Sequence, residues 1–116
     1  MSEYQWNIFW AELDPVRDSE QSGTRPVIVI SSEAINSSLS IVGVLPLTSM
    51  KKGRKIYSTE VFLSREETGL EKDSISMSHQ VRVLSKNRLM QKCGVINSPG
   101  IIEKIQESVK VFLDIE

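Results

Sequence analysis

The chain has 116 residues, 14 Lys and Arg against 15 Asp and Glu, a net charge of −1, one cysteine and one histidine. That length suits a single domain over 1–116, which buries roughly two-thirds of its unfolded surface and so needs no disulfide or structural metal. The lone cysteine excludes an internal disulfide and the lone histidine a two-histidine metal site; with no signal pattern and no membrane-length apolar run, the expectation is a soluble protein of the reducing cytoplasm.

Trp6-Asn7-Ile8-Phe9-Trp10-Ala11-Glu12-Leu13 is aromatic and β-branched and predicts a first strand, which Asp14-Pro15 ends. A period of two puts Trp6, Ile8 and Trp10 on one face and Phe9, Ala11 and Leu13 on the other. Two apolar faces imply a strand covered on both sides, or one used at a dimer interface. An exposed Trp could instead stack on a base, with core packing expected for at least one of the pair.

The polar stretch Ser19–Pro26 then breaks abruptly into Val27-Ile28-Val29-Ile30, a short β-branched run that predicts a buried strand over Val27–Ser31. Gly23 lets the chain turn, and Pro26 biases Arg25 toward extended backbone. Arg25 is thereby a long cation at the last position before a rigid strand.

Ser32–Asn36 predicts one helical turn capped by Ser31 or Ser32, and Leu39–Leu45 a third strand closed by Pro46, with Thr48 just past its end. Met50–Ile56 is a basic, glycine-containing loop, expected to be mobile. Thr59–Leu63 alternates as a fourth strand, Ser64–Asp73 is a charged loop, and Ser74–Ser78 a fifth strand. Gln80–Leu84 is a sixth, or continues the fifth through a bend. Ser85–Met90 predicts a short capped turn and Lys92–Ile96 a last strand, in which Cys93 is expected to be inert core.

Ser98 and Pro99 suit the cap and first turn of the one clear helix. Ile101, Ile102, Ile105, Val109 and Phe112 recur on it at helical spacing and require a partner face, either the sheet or a second copy of the helix. The fold class is therefore mainly β (a β-rich α+β domain): a small, strongly bent antiparallel barrel with short helices and a C-terminal α-helix.

The near-neutral total hides two stretches without acids. Residues 34–59 carry Lys51, Lys52, Arg54 and Lys55, and residues 74–102 carry Arg82, Lys86, Arg88 and Lys92. Brought together, they would attract phosphates; apart, they are solvated loops and edges, and charge alone does not choose. No glycine-rich phosphate loop and no nucleophile elbow is present.

Ser19-Glu20-Gln21 with Gly23, Arg25 and Pro26, running into Val27–Ile30, resembles the signature of the MazF/PemK (Kid) toxins of bacterial toxin–antitoxin pairs. The resemblance continues in Leu45–Thr48, Gly69–Ser74, Gln80–Arg82, Lys86–Leu89 and Gly94, in the family's order over nearly the whole chain. It implies an SH3-like, CcdB-like barrel that forms homodimers and a metal-independent endoribonuclease without cofactors. The implied substrate is single-stranded RNA, cut at a short sequence to leave 5′-hydroxyl ends, and the implied partner is a cognate antitoxin.

Such cleavage by the RNA's own 2′-OH needs a proton acceptor, charge stabilisation on the phosphorane and a proton for the leaving oxygen. The resemblance carries catalysis onto Arg25 and Thr48. A forked guanidinium suits the second task better than proton abstraction, and a threonine hydroxyl can donate to the same phosphate. The bland alternatives are an ion pair of Arg25 with Glu20 or Asp18, and a turn hydroxyl at Thr48. RNA contacts are expected from Ser19, Glu20 and Gln21, from Lys51, Lys52, Arg54 and Lys55, and from His79, Gln80 and Arg82. Gln80 suits a base edge, and His79 is either a proton shuttle or an ordinary surface residue.

Two other functions compete. A CcdB-like gyrase poison would need neither Arg25 nor Thr48, and the end Ile115-Glu116 lacks a terminal tryptophan. A peptide-binding SH3-like adaptor needs an aromatic groove, which three Phe, two Trp and two Tyr make hard to build.

Overall fold

The computed structural model describes residues 2–116. Seven antiparallel strands run as β1 (Asn7–Glu12), β2 (Thr24–Val29), β3 (Ile41–Ser49), β4 (Glu60–Leu63), β5 (Ser74–Met77), β6 (Arg82–Ser85) and β7 (Leu89–Val95). Three α-helices accompany them: α1 (Glu33–Ser38), α2 (Arg65–Thr68) and α3 (Pro99–Leu113). The strands lie in the order β4-β5-β3-β2-β1-β7, with β6 also on β3.

β3 is the longest strand because it serves two parts of the sheet. On one edge Val44–Pro46 pair with β2. On the other, Ile41–Val44 pair with β6 and Leu47–Ser49 pair with β5. Pro46 sits in the gap between those last two pairings, where its missing N–H interrupts no ladder bond. It therefore does not close the strand, and Thr48 lies inside β3, opposite Ile75. β5 and β6 are joined by a single 3₁₀ turn, Ser78–Gln80, so β6 does continue β5 through a bend. β2 likewise begins earlier than its apolar run, and Arg25 is a strand residue paired with Ala11.

The bent sheet holds two apolar clusters. Ile8, Ile28, Leu45, Leu47, Val61, Leu63, Ile96 and Ile105 form one, and Ala11, Leu13, Val27, Val29, Val42, Val44 and Leu84 the other. Ile8 on one face of β1 and Ala11 on the other are thus buried, one in each cluster. Trp6 packs against the first cluster while Trp10 stays 36% exposed.

Ser98 Oγ accepts from the Ile101 N–H at 3.4 Å at the start of α3. The stripe docks through Ile101, Ile102, Ile105 and Val109, and the buried Ser108 and Ser78 hydroxyls meet at 2.6 Å. The last turn is different: Val111, Phe112 and Leu113 are exposed, as is Ile115. No helix among the described residues is long and apolar enough to cross a membrane.

Candidate functional site

The β2–β3 ladder ends at the pair Val27 and Pro46. Neither Pro26 nor Pro46 has an N–H, so the ladder gains no donor from either there. Stepping both strands on by two residues sets Arg25 across from Thr48, beyond the last pair. The parted strands open a groove of about 600 Å³, lined among others by Arg25, Pro26, Thr48, Ser49 and Trp10. Its far wall is Gly69, Leu70, Glu71 and Lys72, the segment between α2 and β5.

Within the groove Arg25 is half-buried, and its Nε donates to the Ser22 carbonyl at 2.9 Å. No carboxylate pairs with it among the described residues, so neither Glu20 nor Asp18 holds it. The Nε bond fixes the guanidinium's direction. Its terminal nitrogens make no hydrogen bond among the described residues, and two parallel donors suit a phosphate. The half-buried Thr48 hydroxyl likewise has no hydrogen-bond partner among the described residues.

The other expected contact residues divide by location. Lys51 and Lys52 are exposed and follow groove-lining Ser49 after one residue, Met50. Arg54 is paired instead: its Nη1 and Nη2 donate to the buried Glu60 carboxylate at 3.0 and 2.8 Å. Lys55 lies over the Tyr57 ring, 5.2 Å from its centre. The basic loop is tied down at Met50, whose N–H donates to the Asp73 carbonyl at 2.9 Å, and again at Arg54.

His79 is exposed, with Nδ1 3.0 Å from Thr59 Oγ1, and does not line the groove. Gln80 reaches the β1–β2 loop: Nε2 donates to the Ser19 carbonyl at 3.1 Å and Oε1 accepts from the Gln21 N–H at 3.2 Å. Arg82 Nη1 donates to the Leu13 carbonyl at 3.2 Å. Glu20 Oε1 accepts from the Arg17 N–H at 2.6 Å and shapes the loop tip.

Trp10, which the sequence offered as a base-stacking face, lines the groove, as do Glu71, Lys72 and Cys93, which it did not; the Gly69–Ser74 block was the available signal for Glu71 and Lys72. Cys93 is half-buried and packs against the first apolar cluster, and burial pushes its thiol pKa up.

A family model for the PemK-like, MazF-like toxin of type II toxin–antitoxin systems matches residues 4–113. Endoribonuclease MazF9 of Mycobacterium tuberculosis is 31% identical over 113 residues, covering 93% of each chain. Endoribonuclease EndoA of Bacillus subtilis is 30% identical over 107 residues, covering 92% of this chain and 90% of its own. Among solved structures, a mycobacterial endoribonuclease in complex with its cognate antitoxin superposes with a TM-score of 0.79 at 17% identity, over 99% of this chain and 98% of that one. MazF of Deinococcus radiodurans gives 0.75 at 22%, over 99% of each. The structures share the fold, and the sequence match runs through both walls of the groove: this chain belongs to the PemK-like, MazF-like toxins of type II toxin–antitoxin systems.

Proposed function

We propose that the protein is a toxin that cleaves single-stranded RNA without a metal, at a short sequence, by attack of the RNA's own 2′-OH. The observation that carries this reading is the Arg25–Thr48 juxtaposition: across one open groove, the terminal guanidinium nitrogens and the threonine hydroxyl have no hydrogen-bond partner among the described residues. A phosphodiester seated between them would receive two charge-assisted bonds from Arg25 and one from the Thr48 hydroxyl. Both strengthen as charge builds on the phosphorane, so they lower the barrier rather than merely bind. Trp10 offers a flanking base a stacking face, and Lys51 and Lys52 offer neighbouring phosphates their charge.

The chain's relatives include proteins named endoribonucleases, and one similar structure holds a cognate antitoxin. By analogy the chain would work in the cytoplasm, as a homodimer, restrained by an antitoxin that covers the same groove. An acidic, apolar peptide complements Arg25, Lys51, Lys52 and Lys72.

The test is a mixed-sequence single-stranded RNA incubated in EDTA with wild type and with Arg25→Ala, followed by mapping of the ends. Discrete cuts with 5′-hydroxyl ends from wild type alone support the reading. A folded wild type that cuts nothing overturns it, and gyrase binding becomes the next assay.

A further inference from the structure

We propose that Gln80, Arg82 and Arg88 are positioning residues, which staple the β1–β2 loop (residues 13–23) to the body and so hold the Arg25 guanidinium in register. The effect on rate rests on the endoribonuclease reading; the effect on the loop does not.

The three side chains come from one short segment and all end on the loop's backbone. Arg88 Nη1 donates to the carbonyls of Asp14 at 2.6 Å and Glu12 at 3.2 Å. Arg82 holds the carbonyl of Leu13, between them. On the loop's return side, the Gln80 amide uses both its polar atoms, one on Ser19 and one on Gln21. Gln21 leads directly to Ser22, whose carbonyl orients Arg25.

Beyond Leu13, which is buried in the second apolar cluster at the loop's start, little else fixes the loop. Asp14, Pro15 and residues 17–20 are exposed, and Val16 is only partly buried against the core. Its internal bonds close the neck, with Leu13 N–H on the Gly23 carbonyl and Gly23 N–H on Asp14 Oδ1, and the tip, between Arg17 and Glu20. Neither set ties it to the sheet. A segment with few buried apolar contacts opens locally at small cost, so polar staples decide its position. Arg82 and Arg88 each spend a guanidinium nitrogen on protein carbonyls, and Gln80 spends one N–H and one lone pair of its amide on the loop. Their part in the reaction is therefore to place Arg25, rather than to grip RNA.

Gln80→Leu, Gln80→Glu, Arg82→Met and Arg88→Met are compared with wild type in two assays. In the first, limited trypsin digestion with mass mapping reads cleavage after the exposed Arg17. Loss of two hydrogen bonds in Gln80→Leu should speed this cut about tenfold with little change in Tm. Gln80→Glu keeps the acceptor for Gln21 and should fall between. In the second, cleavage of an RNA oligonucleotide should slow by about 10–100-fold in kcat, as expected for a misplaced catalytic group. The salt slope of RNA binding should stay at the wild-type value. Unchanged cutting after Arg17 in all four variants overturns the proposal. So does a salt slope reduced by about 0.7 in either arginine variant, which is the mark of a lost phosphate contact. A wild type inactive on RNA defeats the endoribonuclease reading alone, because the trypsin assay contains no RNA.

Discussion

Arg54 grips the buried carboxylate of Glu60 through both terminal nitrogens, and so ties the basic loop after β3 to the first residue of β4. The Glu60 side chain is 2% exposed and that of Arg54 30%. The Tyr57 N–H adds a third bond to the same carboxylate at 3.0 Å. Removing the arginine leaves a buried charge without its partner, which is costly. Arg54→Met should therefore lower stability by about 2 kcal/mol, or roughly 8 °C in Tm, read by thermal unfolding.

The same pair sets a pH dependence. The Arg54 bonds, opposed by burial and helped by the Tyr57 N–H, hold the Glu60 carboxyl below the ordinary carboxylate value. A depressed folded pKa contributes stability that is fully present above the unfolded value near about pH 4, and is lost as pH falls through the folded value. Wild type should lose stability more steeply than Glu60→Gln on acidification below about pH 4, in urea titrations at fixed pH. Parallel curves would show that Glu60 contributes no such dependence.

Gly94 lies in β7 beneath the end of α2. A Cβ at that position would sit 2.6 Å from the Thr68 carbonyl oxygen, a backbone atom that cannot step aside alone. The close approach lets β7 support the Gly69–Lys72 wall of the groove. Gly94→Ala should push that wall outward and cost about 2 kcal/mol, with weaker RNA binding at temperatures where the protein remains folded. Thermal unfolding and filter binding together check this; a variant with wild-type Tm and affinity would refute the packing argument.

Trp10 contributes an exposed ring face to the groove. Stacking by one base is worth about 1–3 kcal/mol, so Trp10→Ala should raise KM by about tenfold or more while leaving Tm within a few degrees. Cleavage kinetics against RNA concentration separates the two effects. Equal KM values would take Trp10 out of the RNA path.

Lys51 and Lys52 are exposed cations of the loop that follows groove-lining Ser49, with no ion pair among the described residues. Replacing both by Met should weaken RNA binding and lower its salt slope by about 1.4, at about 0.7 for each phosphate on a single strand. Arg54→Met should not change that slope, because its guanidinium is already committed to Glu60.

The amino-acid pattern alone determined the class of fold and most of its elements. Alternation marked the strands, Ser98-Pro99 marked the start of α3, and the helical spacing marked its buried face at Ile101, Ile102, Ile105 and Val109, though not at Phe112, which is exposed. These signals are local: a two- or 3.6-residue period reports burial without reference to any distant residue. Local rules failed where the tertiary structure reuses a residue. Pro46 reads as a strand end, yet it sits inside β3, because β3 changes partners there and no ladder bond is lost. Arg54 reads as one more loop cation, yet it is bound to a carboxylate six residues on, because only the folded turn brings Glu60 under it. Gln80 and Arg82 read as groups offered to a ligand, and in the fold they also hydrogen-bond the backbone of a loop some sixty residues earlier in the chain. Charge and hydrogen-bonding capacity are written in the residue type. Which partner consumes them depends on what the fold brings within about 3 Å, and that is decided only when the sheet bends.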